Sequence, residues 1–199
     1  MNETPEITAV LDFWFADRAG FPPGGKALWW GKSEAVDRYV RDQFGELLGR
    51  LSRKRPPLLE DSPRGRLASI LCLDQFPRHL YRGRERAFAW DRRARALVRG
   101  GLAQGQDQSL APMERVFFYL PLVHSEALED QDQAILLLEA LRQEVTEADG
   151  KDVDGSLQSA RRHRQIIARF GRFPHRNRAL GRQSSEEERV FLTQPGSSF

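Results

Sequence analysis

Residues 168–182, ARFGRFPHRNRALGR, concentrate groups that can hold an anion. The segment has five arginines, one histidine and two phenylalanines, and it contains no carboxylate. A guanidinium binds a carboxylate or a phosphate through two parallel hydrogen bonds, and nearby aromatic rings lower the local dielectric and strengthen each contact. Gly171 suits the left-handed end of a helix and Pro174 prevents its continuation, which predicts a stiff turn. The side chains that this turn would present are Arg172, His175, Arg176 and Arg182. The alternative is that most arginines of the 155–185 stretch neutralise the acidic 101–154 segment and interact with helix C-termini.

The segment LDQFPRHLYRG, residues 73–83, places an acid and two arginines beside a Phe-Pro step. Arg78 and Arg82 are spaced i and i+4, so we expect them to point the same way and to face a cleft together with Asp74. The alternative is a buried pair of Asp74 with an arginine that only pins two helices together.

The segment YLPLVHSEAL, residues 119–128, sets His124 and Glu126 among apolar residues. Partial burial of a charge costs several kcal/mol unless it has a partner, so Glu126 needs a cation, which the arginines can supply. His124 could move a proton or donate to an anion, since the ordinary pKa of histidine, about 6.5, is close to neutrality. A core histidine bonded to the backbone is the alternative.

Two further positions complete the candidate site. His163 and Phe170 are seven residues apart and share a helix face, which directs His163 toward the 168–182 turn. Trp30, in the Trp29-Trp30 pair, could form an aromatic wall, although core packing is the alternative for at least one of these rings. The candidate catalytic residues are Asp74, His124, Glu126 and His175. The candidate ligand-binding residues are Arg78, Arg82, Arg172, Arg176, Arg182, His163 and Trp30.

Helical periodicity positions these segments, and no convincing strand-like alternation is present. Thr4, Ser33 and Ser62 are predicted to be helix N-caps. Residues 184–187 are predicted to form a capping box. Phe76-Pro77 is expected to end one helix and Pro121 to kink or end another. The remaining helices are expected at about 85–99, 129–147 and 156–170. GFPPGG (20–25), GGLAQG (100–105) and ADGKDVDG (148–155) are expected loops.

About eight helices on short loops predict an all-α protein, a stack of antiparallel helices in one domain over residues 1–199, with a possible subdivision near 101–110. The segments LDQFPR (73–78), PLVHSE (121–126) and FGRFPHRNRALGR (170–182), with VLDFWF (10–15) and AFAWD (87–91), resemble a widespread bacterial family of unknown function. The resemblance spans nearly the whole chain and implies a tetratricopeptide-like fold. It implies no established activity and therefore no catalytic assignment. His79 departs from the pattern, in which asparagine is expected.

Composition narrows the classes of function. Residues 101–154 hold twelve acids against three bases, whereas residues 155–185 hold eight arginines and no acid. The net charge of +3 is therefore an average over segments of opposite charge. No transmembrane span, signal peptide, phosphate-binding loop or dinucleotide motif is recognisable. We expect a cytoplasmic protein with no cofactor and no metal site, in which the lone Cys72 is buried and inert.

These observations favour binding of a small anionic molecule, carboxylate or phosphate, in an arginine- and histidine-lined cleft. His124 or His175 would donate or move a proton, and Asp74 and Glu126 would orient the cations and imidazoles. Whether there is turnover stays open; it would be acid–base chemistry of the hydrolase or lyase type. The alternatives are a protein-interaction module that holds an acidic peptide and, less favoured, RNA binding. The oligomeric state is open.

Overall fold

The computed structural model describes residues 4–16, 26–53 and 60–197. Within these ranges it has ten α-helices and no β-strand, which confirms the all-α prediction. The helices are α1 (Pro5–Phe15), α2 (Lys26–Trp30), α3 (Glu34–Leu51), α4 (Pro63–Ile70), α5 (Phe76–Leu80), α6 (Asp91–Leu102), α7 (Pro112–Val123), α8 (Leu128–Glu144), α9 (Glu147–Phe170) and α10 (Glu186–Leu192). The tetratricopeptide-like arrangement and the possible subdivision near 101–110 stay predictions, and the 20–25 loop lies outside the described residues.

The predicted caps begin their helices. The hydroxyl oxygens of Thr4, Ser33 and Ser62 accept hydrogen bonds from backbone N–H groups three residues later, as an N-cap does. The last helix has a capping box between Ser185 and Glu188, so the box extends one residue beyond the predicted 184–187 segment. Helix α6 also starts later than predicted, because residues 85–88 form a separate 3-10 turn before it. It continues through Gly100 and Gly101 to Leu102, so the loop expected at 100–105 is wrong for its first three residues.

The expectation that Phe76-Pro77 ends a helix is wrong. The chain passes from α4 through a π-helical turn at Leu71–Gln75 directly into α5. The wide turn places Pro77 in the first turn of α5, where the missing N–H of proline costs little. π-helical turns are frequent at functional sites, and this one carries Asp74. In α7 the helix ends two residues after Pro121, at Val123.

The expectation of a loop at residues 148–155 is also wrong, because this stretch forms the first two turns of α9. Arg142 of α8 donates hydrogen bonds to Glu147 at 3.2 Å and to Asp154 at 2.9 Å. A Cβ atom on Gly150 would lie 2.8 Å from the guanidinium carbon of Arg142, so glycine permits this close packing. Tertiary contact with α8 therefore overrides the weak helix propensity of the segment.

Helix α7 runs through the centre of the stack and packs against α4, α6, α8 and α9. All of its residues from Glu114 to Val123 are buried. Aromatic rings fill the space beside it: Trp14 of α1 contacts Phe117 at 5.6 Å and Phe76 at 5.7 Å between ring centroids. Cys72 is fully buried in this core, and burial raises the pKa of its thiol, in agreement with an inert packing role. No described helix is both long and apolar enough to cross a bilayer.

Candidate functional site

The π-helical turn and the end of α7 bring an acid and a histidine together. Both carboxylate oxygens of Asp74 lie 3.0 Å from Nδ1 of His124, and Gln75 donates to the same carboxylate at 2.6 Å. Asp74 has no exposed surface. Burial opposes its ionisation, but Arg78, His124 and the Gln75 hydrogen bond together outweigh burial and lower the pKa of Asp74 below its ordinary value. An ionised carboxylate only accepts hydrogen bonds, so Nδ1 of His124 carries the proton and Nε2 has a lone pair.

Asp91, at the start of α6, links two arginines around this pair. Arg78 donates to both oxygens of Asp91 at 3.1 Å and also contacts the carboxylate of Asp74 at 3.2 Å. Nη1 of Arg176 lies 3.6 Å from Oδ2 of Asp91, the oxygen that also accepts from Nη2 of Arg78. We call Asp74, Arg78, Asp91, His124 and Arg176 the Asp–His–Arg cluster.

Arg176 is the member of the cluster whose hydrogen bonding is incomplete. Its side chain is buried, with the guanidinium 4.7 Å from the ring centroid of Phe88 and 4.5 Å from that of Phe173. Its Nε is sealed from solvent and has no hydrogen-bond partner among the described residues. Burial, and then repulsion by Arg78, lowers the pKa of Arg176 to about 10, so it stays protonated at neutral pH. A buried donor without an acceptor costs about 1–3 kcal/mol or more, and an anion would remove that cost.

Glu126 braces the turn that carries Arg176. Its carboxylate accepts two hydrogen bonds from Arg182, at 2.7 and 2.9 Å, and a third from the backbone N–H of Phe173 at 2.9 Å. Arg182 also donates to the carbonyl of Phe173 at 3.2 Å. Burial would raise the pKa of Glu126, but these bonds lower it below its ordinary value. Glu126 and Arg182 therefore hold each other and the turn, and neither presents an unpaired charge.

Two imidazoles lie beside Phe173, and a third, that of His124, lies beside one of them. The ring centroids of His163 and His175 lie 5.4 and 5.6 Å from that of Phe173, and His163 lies 6.3 Å from His124. Burial lowers the pKa of His163 to about 3 and that of His175 to about 4, and it also lowers the pKa of His124. All three are therefore neutral at pH near 7. Asp74, Asp91 and Glu126 then balance Arg78, Arg176 and Arg182.

Three sequence candidates lie elsewhere. Arg82 does not point the same way as Arg78, because α5 ends at Leu80 and the chain leaves the helix before Arg82. It instead pairs with Asp37 of α3 at 3.0 Å. Arg172 is held by Glu188 of α10, at 2.6 and 2.8 Å. Trp30 is exposed and stacks on Phe117, in a separate hollow between α2, α7 and α9.

Sequence reasoning missed three residues that shape the site. Asp91 and Phe88 both lie within AFAWD, a segment that matched the resemblance but showed no polar cluster of its own. Gln131 of α8 is fully buried, and its Nε2 donates to the carbonyls of Val123 and Ser125 at 2.6 Å each. It thus fixes the backbone on both sides of His124. Neither the hydrophobic periodicity of α8 nor any motif in it predicted a role for this glutamine.

The fold and this cluster define an all-α protein with a buried acid–imidazole–guanidinium centre. A family model described as bacterial protein of unknown function, DUF924, matches residues 10–196, and the chain belongs to this family. Among solved structures, the chain is similar to a protein of unknown function from Agrobacterium tumefaciens, with 34% sequence identity and a TM-score of 0.78. That likeness covers 94% of this chain and 96% of the other. No curated protein matches the chain.

Proposed function

We propose that the protein binds a small molecule bearing a carboxylate or phosphate, and that Arg176 is its anion-binding residue. The observation that carries this proposal is a protonated guanidinium, 6% exposed, whose Nε has no partner among the described residues. Its Nη1–Asp91 separation of 3.6 Å is longer than a hydrogen bond, so this ion pair leaves bonding capacity unused. The rings of Phe88 and Phe173 exclude water and hold the planar group in place.

The Asp74–His124 pair adds proton transfer to this site. Asp74 fixes the Nδ1–H tautomer, so Nε2 of His124 is the basic nitrogen, and no described residue is hydrogen-bonded to it. Arg176 contributes to the electrostatic environment of His124, so an anion on Arg176 would offset a positive charge near the imidazole. Removal of that charge raises the basicity of His124 when the ligand is bound. Acid–base turnover of the bound anion is therefore the chemistry that this site supports.

The acidic-peptide and RNA alternatives require many unpaired arginines on one surface. Six of the eight arginines between residues 155 and 185 instead lie within ion-pair distance of a carboxylate. Three of these carboxylates, Glu126, Asp132 and Glu139, belong to the acidic 101–154 stretch. Most of the basic stretch is therefore already paired with carboxylates of this chain, three of them in the acidic stretch, which favours the small anionic ligand over the two alternatives.

A thermal-shift screen with mono- and dicarboxylates and phosphate monoesters tests the proposal. We expect at least one anion to raise the melting temperature in a saturable way, because a ligand that binds only the native state stabilises it. Arg176→Gln and the charge-conserving Arg176→Lys should both lose most of this shift. Arg169→Gln removes an exposed arginine of the same stretch and should keep it. Equal loss in the Arg169 and Arg176 variants, or no shift with any anion, would contradict the proposal.

A further inference from the structure

A hollow lies between α2, α7 and α9, and it is separate from the Asp–His–Arg cluster. Its volume is about 310 Å³, and its walls include Trp29, Trp30, Met113, Lys151, Ser156 and Ser159. We call these six residues the indole hollow. One side is aromatic and apolar, and the opposite side, from α9, carries hydroxyl groups and an ammonium.

The aromatic side of the hollow is rigidly supported. The indole N–H of Trp29 donates to the carbonyl of Trp14 at 2.8 Å, and its ring lies 5.0 Å from that of the fully buried Phe117. Trp30 is nearly parallel to Phe117, at 16° and 5.9 Å between centroids. Yet 58% of Trp30 stays exposed. A large apolar ring is thus backed by the core and presented to solvent.

Gly155 is a position at which the hollow can be narrowed by substitution. This glycine borders the hollow in the middle of α9, and no described atom lies within 4 Å of a Cβ atom built on it. Gly45 and Gly49 of α3 are equally open, so the space at Gly155 is that of an ordinary surface position of a helix. A side chain can therefore be added beside the hollow without a clash at its Cβ atom.

We propose that the indole hollow is a binding site for a planar aromatic molecule that carries an anionic group. The ring would stack on Trp30, as aromatic rings do at centroid separations of 4.5–7 Å, roughly. The anionic group would face Lys151, whose ammonium has no described carboxylate within ion-pair distance. Ser156 and Ser159 offer hydroxyl groups along the same wall. Asp152 also borders the hollow and disfavours a second negative charge on the ligand.

The indole N–H signals of the four tryptophans, followed by NMR during titration with 2-naphthoate, test this site. Trp30→Phe assigns one signal. We expect the Trp30 and Trp29 signals to shift saturably, while that of Trp90, whose ring lies beside Tyr81 and Arg86, does not. Trp30→Ala should weaken binding about three- to tenfold, the range that one aromatic contact provides. Lys151→Gln should weaken 2-naphthoate but leave the uncharged 2-naphthol unchanged.

Gly155 supplies the sharpest control. Gly155→Leu should fill the hollow and abolish the Trp30 shift, whereas Gly155→Ala, which adds one methyl group, should retain it. Unchanged binding by Gly155→Leu, or no shift of Trp30 in the unmodified protein, would overturn the proposal. A thermal shift by 2-naphthoate that Arg176→Gln removes, with the Trp30 signal static, would place the aromatic anion at the Asp–His–Arg cluster. That result would reject the indole hollow and still agree with anion binding by Arg176, so the two proposals fail separately.

Discussion

Nδ1 of His124 is 3.0 Å from each carboxylate oxygen of Asp74, and Asp74 is fully buried. The bifurcated contact makes Asp74 the acceptor for one ring nitrogen and leaves the other as the base. The chain contains a second pair of the same kind, because Nδ1 of His79 lies 3.0 Å from Asp37. That pair has its own arginine, Arg82, but among the described residues no buried guanidinium lacking a hydrogen-bond partner lies beside it, so it offers a matched control.

Asp74→Asn should remove the fixed tautomer of His124, because an amide can donate as well as accept. We expect the ¹⁵N shifts of His124 in long-range ¹H–¹⁵N spectra to leave the values of the Nδ1–H form. The free energy of unfolding should fall by about 3 kcal/mol, since Arg78 keeps Asp91 as a partner. Asp37→Asn should change only the signals of His79. His124 shifts that do not respond to Asp74→Asn would show that Asp74 does not set the tautomer.

Gln131 should act as a positioning residue for His124. Gln131→Met removes the donor to the carbonyls of Val123 and Ser125 and leaves two buried acceptors unsatisfied, at a cost of about 2 kcal/mol or more. We expect the His124 ring signals to shift or broaden, while those of His79 stay unchanged. Gln133→Met, at an exposed position of the same helix, is the control. Lower stability with unaltered His124 signals would assign Gln131 a purely structural role.

The buried imidazoles should make the native state sensitive to acid. Burial holds the folded pKa of His175 at about 4 and that of His163 at about 3, against 6.5 for the ordinary group. Below pH 6.5 the unfolded chain therefore binds protons that the folded chain does not, and stability falls as pH falls. The loss should be at most about 1.4 kcal/mol per pH unit for His163, and smaller for the less buried His175. It ends at the folded pKa of each group.

Urea unfolding between pH about 7 and about 4.5 measures this slope. His163→Phe removes one titrating group and keeps an aromatic ring against Phe173, so the slope should decrease by the His163 share. An identical slope in the variant would mean that His163 does not carry the pH dependence.

The Glu126–Arg182 pair should matter more than an exposed pair of similar length. Glu126→Gln weakens the bonds to Arg182 and to the N–H of Phe173, and we expect a loss of about 1–3 kcal/mol. The amide hydrogen of Phe173 should exchange faster with solvent. Glu139→Gln breaks the exposed pair with Arg161, at 2.7 Å, and should cost about 0–1 kcal/mol. Equal effects of the two variants would argue against a bracing role for Glu126.

Local signals in the sequence were sufficient for much of the scaffold. Thr4, Ser33 and Ser62 cap their helices because each hydroxyl satisfies a backbone donor within the same turn. The helix over 148–155 was not predicted because it packs on α8 through the buried Val153, a tertiary contact that neighbouring residues do not reveal. The π-helical turn at 71–75 was likewise hidden, since Phe76-Pro77 ordinarily marks a helix end.

The candidate site was likewise predictable in part: the sequence indicated several of its residues but not their partners. Asp74, His124 and Arg176 stood out because polar groups beside apolar runs need partners. The identity of those partners was set by packing: Asp91 reaches Arg78 and Arg176 from α6, and Arg82 turns to Asp37 because α5 ends before it. Pairing of Arg172 with Glu188 depends on where α10 lies. Which carboxylate pairs with which arginine depends on how the helices pack, and spacing within one segment does not reveal that packing.

The most direct test of the account follows the Nε–H signal of Arg176 itself in a ¹H–¹⁵N spectrum, assigned by its absence in Arg176→Lys. The titrant is the anion that gives the largest thermal shift. Anion binding at Arg176 predicts a saturable shift of this signal, with the Nε–H signal of Arg172, already held by Glu188, unchanged. A static Arg176 signal, together with small parallel shifts of the exposed arginines that disappear in salt, would contradict it.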